Sequence, residues 1–199
     1  MNAKKIVAAL LAAVLLIGIG VGGTLAWLMD STETITNTFS TSDIEVGLKE
    51  TTTNYQMIPG HTIAKDPKAW VDTGSVPALL FVKVEKSSNF DTYMEAEINT
   101  PAWTELTSAA GTTYKVYYTY VNGADAMGEG EAISILKDDE VKVKDTVTKE
   151  MMNALTADNY PKLTFTAYAH QLYKNDSGAL SATFTAEEAW ANLNPPATP

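Results

Sequence analysis

The strongest constraint on the fold is an alternation of apolar and polar side chains with a period of two residues. It is clearest at residues 112–121, where almost every side chain is aromatic or β-branched and so packs well on a pleated surface. A period of two places neighbouring residues on opposite faces of a sheet. The stretch therefore predicts a β-strand, with Tyr117 on the face opposite Tyr114, Tyr118 and Tyr120.

The same pattern recurs between turn residues along most of the chain. Strands are predicted at residues 44–48, 62–72, 78–86, 131–136, 141–144 and 163–170. Helical spacing is confined to residues 149–155 and to a final segment that begins with a capping box formed by Thr185 and Glu188. Many short strands with few helices predict an all-β fold, a two-sheet β-sandwich with one or two short helices.

The first residues have the organisation of an export signal. Lys4 and Lys5 precede an apolar run at residues 6–21, and the run ends in small residues that favour cleavage between Ala26 and Trp27. An uncleaved membrane anchor is the alternative, since about 20 apolar residues span a bilayer. Four glycines at residues 18–23 weaken the helix and no basic cluster follows, which favours cleavage. Membrane contact is expected only through this signal peptide before cleavage.

These features give a simple domain organisation. We expect a signal peptide at residues 1–26, an amino-terminal segment at 27–40, a β-sandwich domain at 41–193 and a disordered proline-rich tail at 194–199.

The charge of the mature chain excludes nucleic acid as an expected partner. Without Lys4 and Lys5, 12 basic residues remain against 24 acidic ones, a formal charge of 12 − 24 = −12. All basic residues are lysines, and they form no basic stripe that would attract phosphates. The chain also lacks cysteine, so burial and backbone pairing must hold the domain together without disulfides.

Several stretches resemble the TasA and camelysin family. They are GGTLAWLMDSTE at 22–33, NTF at 37–39 with the strand that follows, IPG at 58–60, KDP at 65–67, SVPA at 75–78 leading into FVKV at 81–84, AYAHQ at 167–171, and EAW at 188–190. The resemblance implies processing by a signal peptidase of the SipW type and an extracellular β-sandwich of jelly-roll or immunoglobulin-like kind. The family it implies contains biofilm matrix fibre subunits, and some of its members are classed as metalloproteases.

Catalytic chemistry has little support in the residues. A zinc protease needs several imidazoles and a carboxylate around the metal, but the chain has only His61 and His170 and lacks a His-Glu-x-x-His run. Acidic residues at 138–140 and 175–176 lack the spacing of a calcium loop and are interpreted as polar turns. We therefore predict no catalytic, cofactor-binding or metal-binding residues.

The amino-terminal segment suggests a mechanism of assembly. Trp27, Met29, Ile35 and Phe39 share one parity, so an extended segment could add as a donor strand to an open sheet edge of a neighbouring subunit. Glu33 and Asn37 have the same parity and weaken this hypothesis. In the alternative, residues 34–39 form the first strand of their own domain.

The leading hypothesis is an exported structural protein that self-associates into fibres at the cell surface or in the extracellular matrix. A secreted metalloprotease of the camelysin type and a monomeric surface-binding module are the alternatives.

Overall fold

The structure is a computed structural model that describes residues 44–51, 55–121, 128–176 and 179–193, with the side chains of 175–176 and 179–181 left undescribed. The strands are β1 (Val46–Lys49), β2 (Thr62–Ala64), β3 (Lys68–Val71), β4 (Ala78–Lys86), β5 (Met94–Glu95), β6 (Thr104–Glu105), β7 (Tyr114–Val121), β8 (Ile133–Ser134), β9 (Glu140–Val143), β10 (Leu163–Gln171), β11 (Tyr173–Asp176) and β12 (Ala179–Thr183). The α-helices are α1 (Phe90–Tyr93), α2 (Lys149–Asn153) and α3 (Ala186–Leu193).

Within the described residues the strands form four antiparallel sheets. Their strand orders are β1-β3-β8, β10-β4-β7-β6, β2-β9-β5 and the pair β11-β12. In the largest sheet, β4 pairs with β10 from Ala78 opposite Gln171 to Lys86 opposite Leu163, and with β7 on its other side. The predicted strand at 78–86 is therefore central.

The main core lies between the sheet β1-β3-β8 and the largest sheet. Ala69 and Val71 of β3 pack there with Leu80 and Val82 of β4, and all four are fully buried. Trp103 closes the same cluster at 2% exposure, and its indole N–H donates to the carbonyl of Ser134 at 2.9 Å. The bond gives the buried indole N–H of Trp103 a hydrogen-bond partner.

Helix α3 covers the other face of the largest sheet. Ala186 and Ala189 are buried against it, and the Trp190 ring lies 5.4 Å from the ring of Phe81. The predicted capping box at the start of α3 is formed. The Thr185 N–H donates to the Glu188 carboxylate at 2.9 Å, and the Glu188 N–H donates to the Thr185 hydroxyl at 3.2 Å. Because both faces of β4 are covered, residues 78–82 are all fully buried.

The tyrosines of β7 divide between these two cores. Tyr117 is 7% exposed in the main core, whereas Tyr114 and Tyr118 pack on the α3 side. Tyr120 is 50% exposed and stacks edge-on against Tyr118 at 5.9 Å. The prediction that Tyr117 lies opposite the other three is confirmed.

A third cluster packs the sheet β2-β9-β5 against α1 and α2. Its buried members include Phe90, Met94, Val141 and Val143, with Met57, Met151 and Met152 half-buried around them. The Thr148 hydroxyl accepts a hydrogen bond from the N–H of Met151 and caps the start of α2.

The all-β prediction is confirmed, and three features differ from expectation. The described strands form more than two sheets, three short helices occur, and the single strand predicted at 62–72 is divided into β2 and β3 of different sheets. Pro67 lies at the division, and its carbonyl accepts from the N–H of Ile135 at 3.0 Å.

The predicted signal peptide, amino-terminal segment and tail lie outside the described residues. Among those residues, no helix has the length and apolar character needed to cross a membrane.

Candidate functional site

Strand β1 directs apolar side chains toward the main core but leaves them partly in solvent. Val46 and Leu48 are paired directly with Val71 and Ala69 of β3, so they share the face of these two core residues. Val71 and Ala69 are fully buried, whereas Val46 is 37% and Leu48 39% exposed. The core is therefore incompletely closed over β1.

Strand β10 provides a second partly covered wall. Phe165, Ala167 and Ala169 face the main core beside the fully buried interior of β4, yet each is only half-buried. β10 pairs with β4 along nine residues and lies at the edge of its sheet in the described part of the chain. An edge strand presents backbone N–H and C=O groups that can pair with another strand.

These two walls lie side by side. Cα atoms of β1 and β10 come within 8 Å of one another, although the two strands belong to different sheets. We call this region the seam and define it by Val46, Leu48, Phe165, Ala167 and Ala169. It combines sheet edges with partly exposed, inward-facing apolar side chains, which is the arrangement that an added strand would complete.

A buried ion pair fixes one end of the seam. The Lys65 ammonium lies 2.5 Å from a Glu50 carboxylate oxygen, and the two side chains are 10% and 15% exposed. The Tyr55 hydroxyl donates to the same oxygen at 2.6 Å, and burial together with the Glu50 carboxylate raises the pKa of Tyr55. The Lys65 nitrogen also lies 5.6 Å from the centre of the Phe165 ring, which ties this network to the seam.

An open cavity of about 800 Å³ continues the seam beyond the start of β10. Lys65 and Leu163 line it where it meets the seam, and Tyr160, 53% exposed, lies at its rim. Its apolar lining comprises Met57, Ile63, Phe90, Met94, Val141, Met152 and Leu155. We call it the methionine cavity. Its volume is within the range of cavities that hold ligands or large side chains.

The two histidines lie in different parts of the fold. His61 is exposed in the turn before β2, where its carbonyl accepts from the N–H of Val143 at 2.9 Å. His170 lies on β10, stacks edge-on against Phe184 at 4.5 Å and has its Nε2 atom 3.3 Å from the Asn192 amide. They occupy separate environments, each with its own set of neighbours.

The acidic residues considered for calcium form a tight turn. Asp138 and Asp139 have left-handed backbone with φ of 56° and 52°, and the Asp139 carboxylate lies 3.8 Å from the Lys68 ammonium. The side chains of residues 175–176 lie outside the description. Across the described ranges, no group of three or more His, Asp or Glu side chains is arranged to hold a metal ion.

The predicted cleavage and donor residues Ala26, Trp27, Met29, Ile35 and Phe39 lie outside the described residues. The structure instead supplies what the sequence did not identify, a candidate acceptor for such a segment. Its sequence signal is weak, because alternating apolar residues at 44–48 and 163–169 predict inward faces without showing how completely they are covered.

Comparison with family models matches residues 2–78 to the family described as camelysin metallo-endopeptidase. The matched stretch covers the predicted signal peptide, the amino-terminal segment and the β1 wall of the seam. Comparisons with curated proteins and with solved structures give no significant match.

Proposed function

We propose that this chain, whose residues 2–78 match the camelysin metallo-endopeptidase family, is an exported structural protein of the TasA and camelysin type whose subunits assemble into fibres. A SipW-type signal peptidase would cut between Ala26 and Trp27 and release the segment 27–40 as a donor strand. The fibres would lie at the cell surface or in the biofilm matrix. The basic and apolar start of the chain supports export.

The seam is the observation that carries this proposal. A donor strand placed along β10 would gain main-chain hydrogen bonds from the edge that no other described strand pairs with, and would cover apolar side chains that are partly exposed. Val46 and Leu48 illustrate the point, because their backbone positions belong to the core while more than a third of each side chain remains in solvent. Exposed inward-facing residues of this kind favour completion by another chain.

Donation from one subunit to the next explains why a fibre results. The donor segment and the seam are different surfaces of the same chain, so the contact is heterologous and each added subunit presents a new seam. If residues 34–39 instead occupy the seam of their own subunit, the product is a closed monomer.

Electron microscopy of the mature protein and two kinds of variant tests the proposal. Deleting residues 27–33 should abolish fibres, and so should Ala167→Lys, which places a charge inside the seam. Thr104→Lys is the matched control, because Thr104 is exposed on β6 at the opposite edge of the same sheet. Circular dichroism verifies that each variant folds. Unchanged fibres from both the deletion and the Ala167 variant would refute strand complementation through the seam.

A metalloprotease is the second candidate, favoured by the description of the matched family. Chelator-sensitive casein cleavage that is lost in both His61→Ala and His170→Ala would support it. Activity that survives both substitutions would exclude a site built on these histidines.

A further inference from the structure

A donor strand docked along the seam would not by itself fill the methionine cavity. It opens at the Leu163 end of β10, is lined largely by apolar side chains and has an exposed tyrosine at its rim. Three of its lining residues are methionines, whose flexible side chains adapt to irregular partners. A strand lying in the seam would lead directly into this cavity.

The spacing of the donor segment allows a register that would bring one particular residue there. The inward-facing residues of β10 extend from Leu163, at the cavity, to Ala169, a separation of 169 − 163 = 6 residues, and Met29 and Ile35 are also 35 − 29 = 6 residues apart. With Met29 beside Leu163 and Ile35 beside Ala169, Trp27 extends about 7 Å beyond the end of the seam. Its side chain has the parity of Met29 and therefore enters from the same face.

The size of the cavity fits this arrangement. Tryptophan is the largest apolar side chain, and a cavity of about 800 Å³ accommodates it together with adjoining main chain.

We infer that the methionine cavity binds Trp27 of a neighbouring copy of this chain and thereby sets the register of the donor strand. The donor then runs in the same direction as β10. This inference rests on the proposed function, since it concerns the same contact between subunits.

Disulfide trapping tests the register cleanly because the chain contains no cysteine. In mature protein carrying Met29→Cys and Leu163→Cys, which keeps Trp27, fibres should contain subunits linked in series under oxidising conditions. The matched control pairs Met29→Cys with Gln171→Cys, which is exposed at the other end of β10. This second pair should leave the subunits unlinked. Links through Gln171 instead of Leu163 would show the opposite strand direction and overturn the inference.

Single substitutions provide an independent measurement. Trp27→Ala should raise the critical concentration for assembly at least tenfold, whereas Trp27→Phe, which retains an aromatic ring, should change it less than threefold. Equal critical concentrations for Trp27→Ala and the unsubstituted protein would refute the anchor. If the critical concentrations are equal and fibres form normally, only the role of Trp27 is refuted. If the unsubstituted mature protein forms no fibres, the proposed function is refuted as well.

Discussion

The double substitution Val46→Ala/Leu48→Ala tests the seam most directly. Both side chains face the core but are partly exposed, so their burial is divided between folding of the subunit and docking of the donor. The exposed fractions, 37% and 39%, indicate how much burial remains for docking to complete.

The expected effect on docking follows from these fractions. The substitutions remove two and three carbon atoms, worth about 1.6 and about 2.4 kcal/mol if each CH₂ contributes about 0.8 kcal/mol on full burial. Multiplied by the exposed fractions, these give about 0.6 and about 0.9 kcal/mol for docking. The sum, about 1.5 kcal/mol, corresponds to a roughly tenfold weaker contact between subunits.

The assay is the critical concentration for fibre assembly, measured by sedimentation at constant salt and temperature. Urea unfolding of the unassembled double variant separately measures the stability lost from the portions of the two side chains that are already buried in the subunit, about 2.5 kcal/mol. Ile58→Ala is the control, because Ile58 is 51% exposed and lies outside both the seam and the methionine cavity. A critical concentration for the double variant within twofold of that control would refute the reasoning.

Three further predictions concern stability. Thr185→Ala removes the capping acceptor of α3 and should cost about 1 kcal/mol in urea unfolding. The Lys174 ammonium and the Thr185 N–H lower the pKa of Glu188 below its ordinary value of 4.5, so its stabilisation is complete above that pH and is lost as the pH falls. The melting temperatures of the wild type and Glu188→Gln should therefore converge in acid. Glu50→Gln leaves the buried Lys65 ammonium without its counter-charge and should lower the free energy of unfolding in urea by about 3 kcal/mol. The double variant Glu50→Gln/Lys65→Met should lose less, because it removes the buried charge as well.

Local alternation was sufficient to predict most of the strands. β4, β7 and β10 occur where the period-two pattern predicts them, because a face buried in a sheet leaves its mark on every second residue. The division at Pro67 and the number of sheets were not predictable in this way. Strand partners are chosen by contacts between residues far apart in sequence.

Of the candidate site, the sequence predicted the donor segment but not the acceptor. The common parity of Trp27, Ile35 and Phe39 suggested a donor, since parity is a property of the segment itself. The acceptor depends on β1 and β10 both lying at sheet edges, and edge position depends on the pairing of the whole fold. Val46 and Leu48 were expected to face the core, and they do. Their partial exposure depends on how the rest of the fold covers them, and this leaves no trace in their own sequence.

The burial of β4 on both faces has a consequence for the order in which the protein folds. β4 ends at residue 86, but one of its neighbouring strands begins at residue 163 and its outer cover, α3, begins at residue 186. Contacts so distant in sequence form slowly, because a long loop must close before they contribute. If the chain is exported amino-terminus first as we propose, the region around β4 would remain unfolded until the last helix emerged from the export channel.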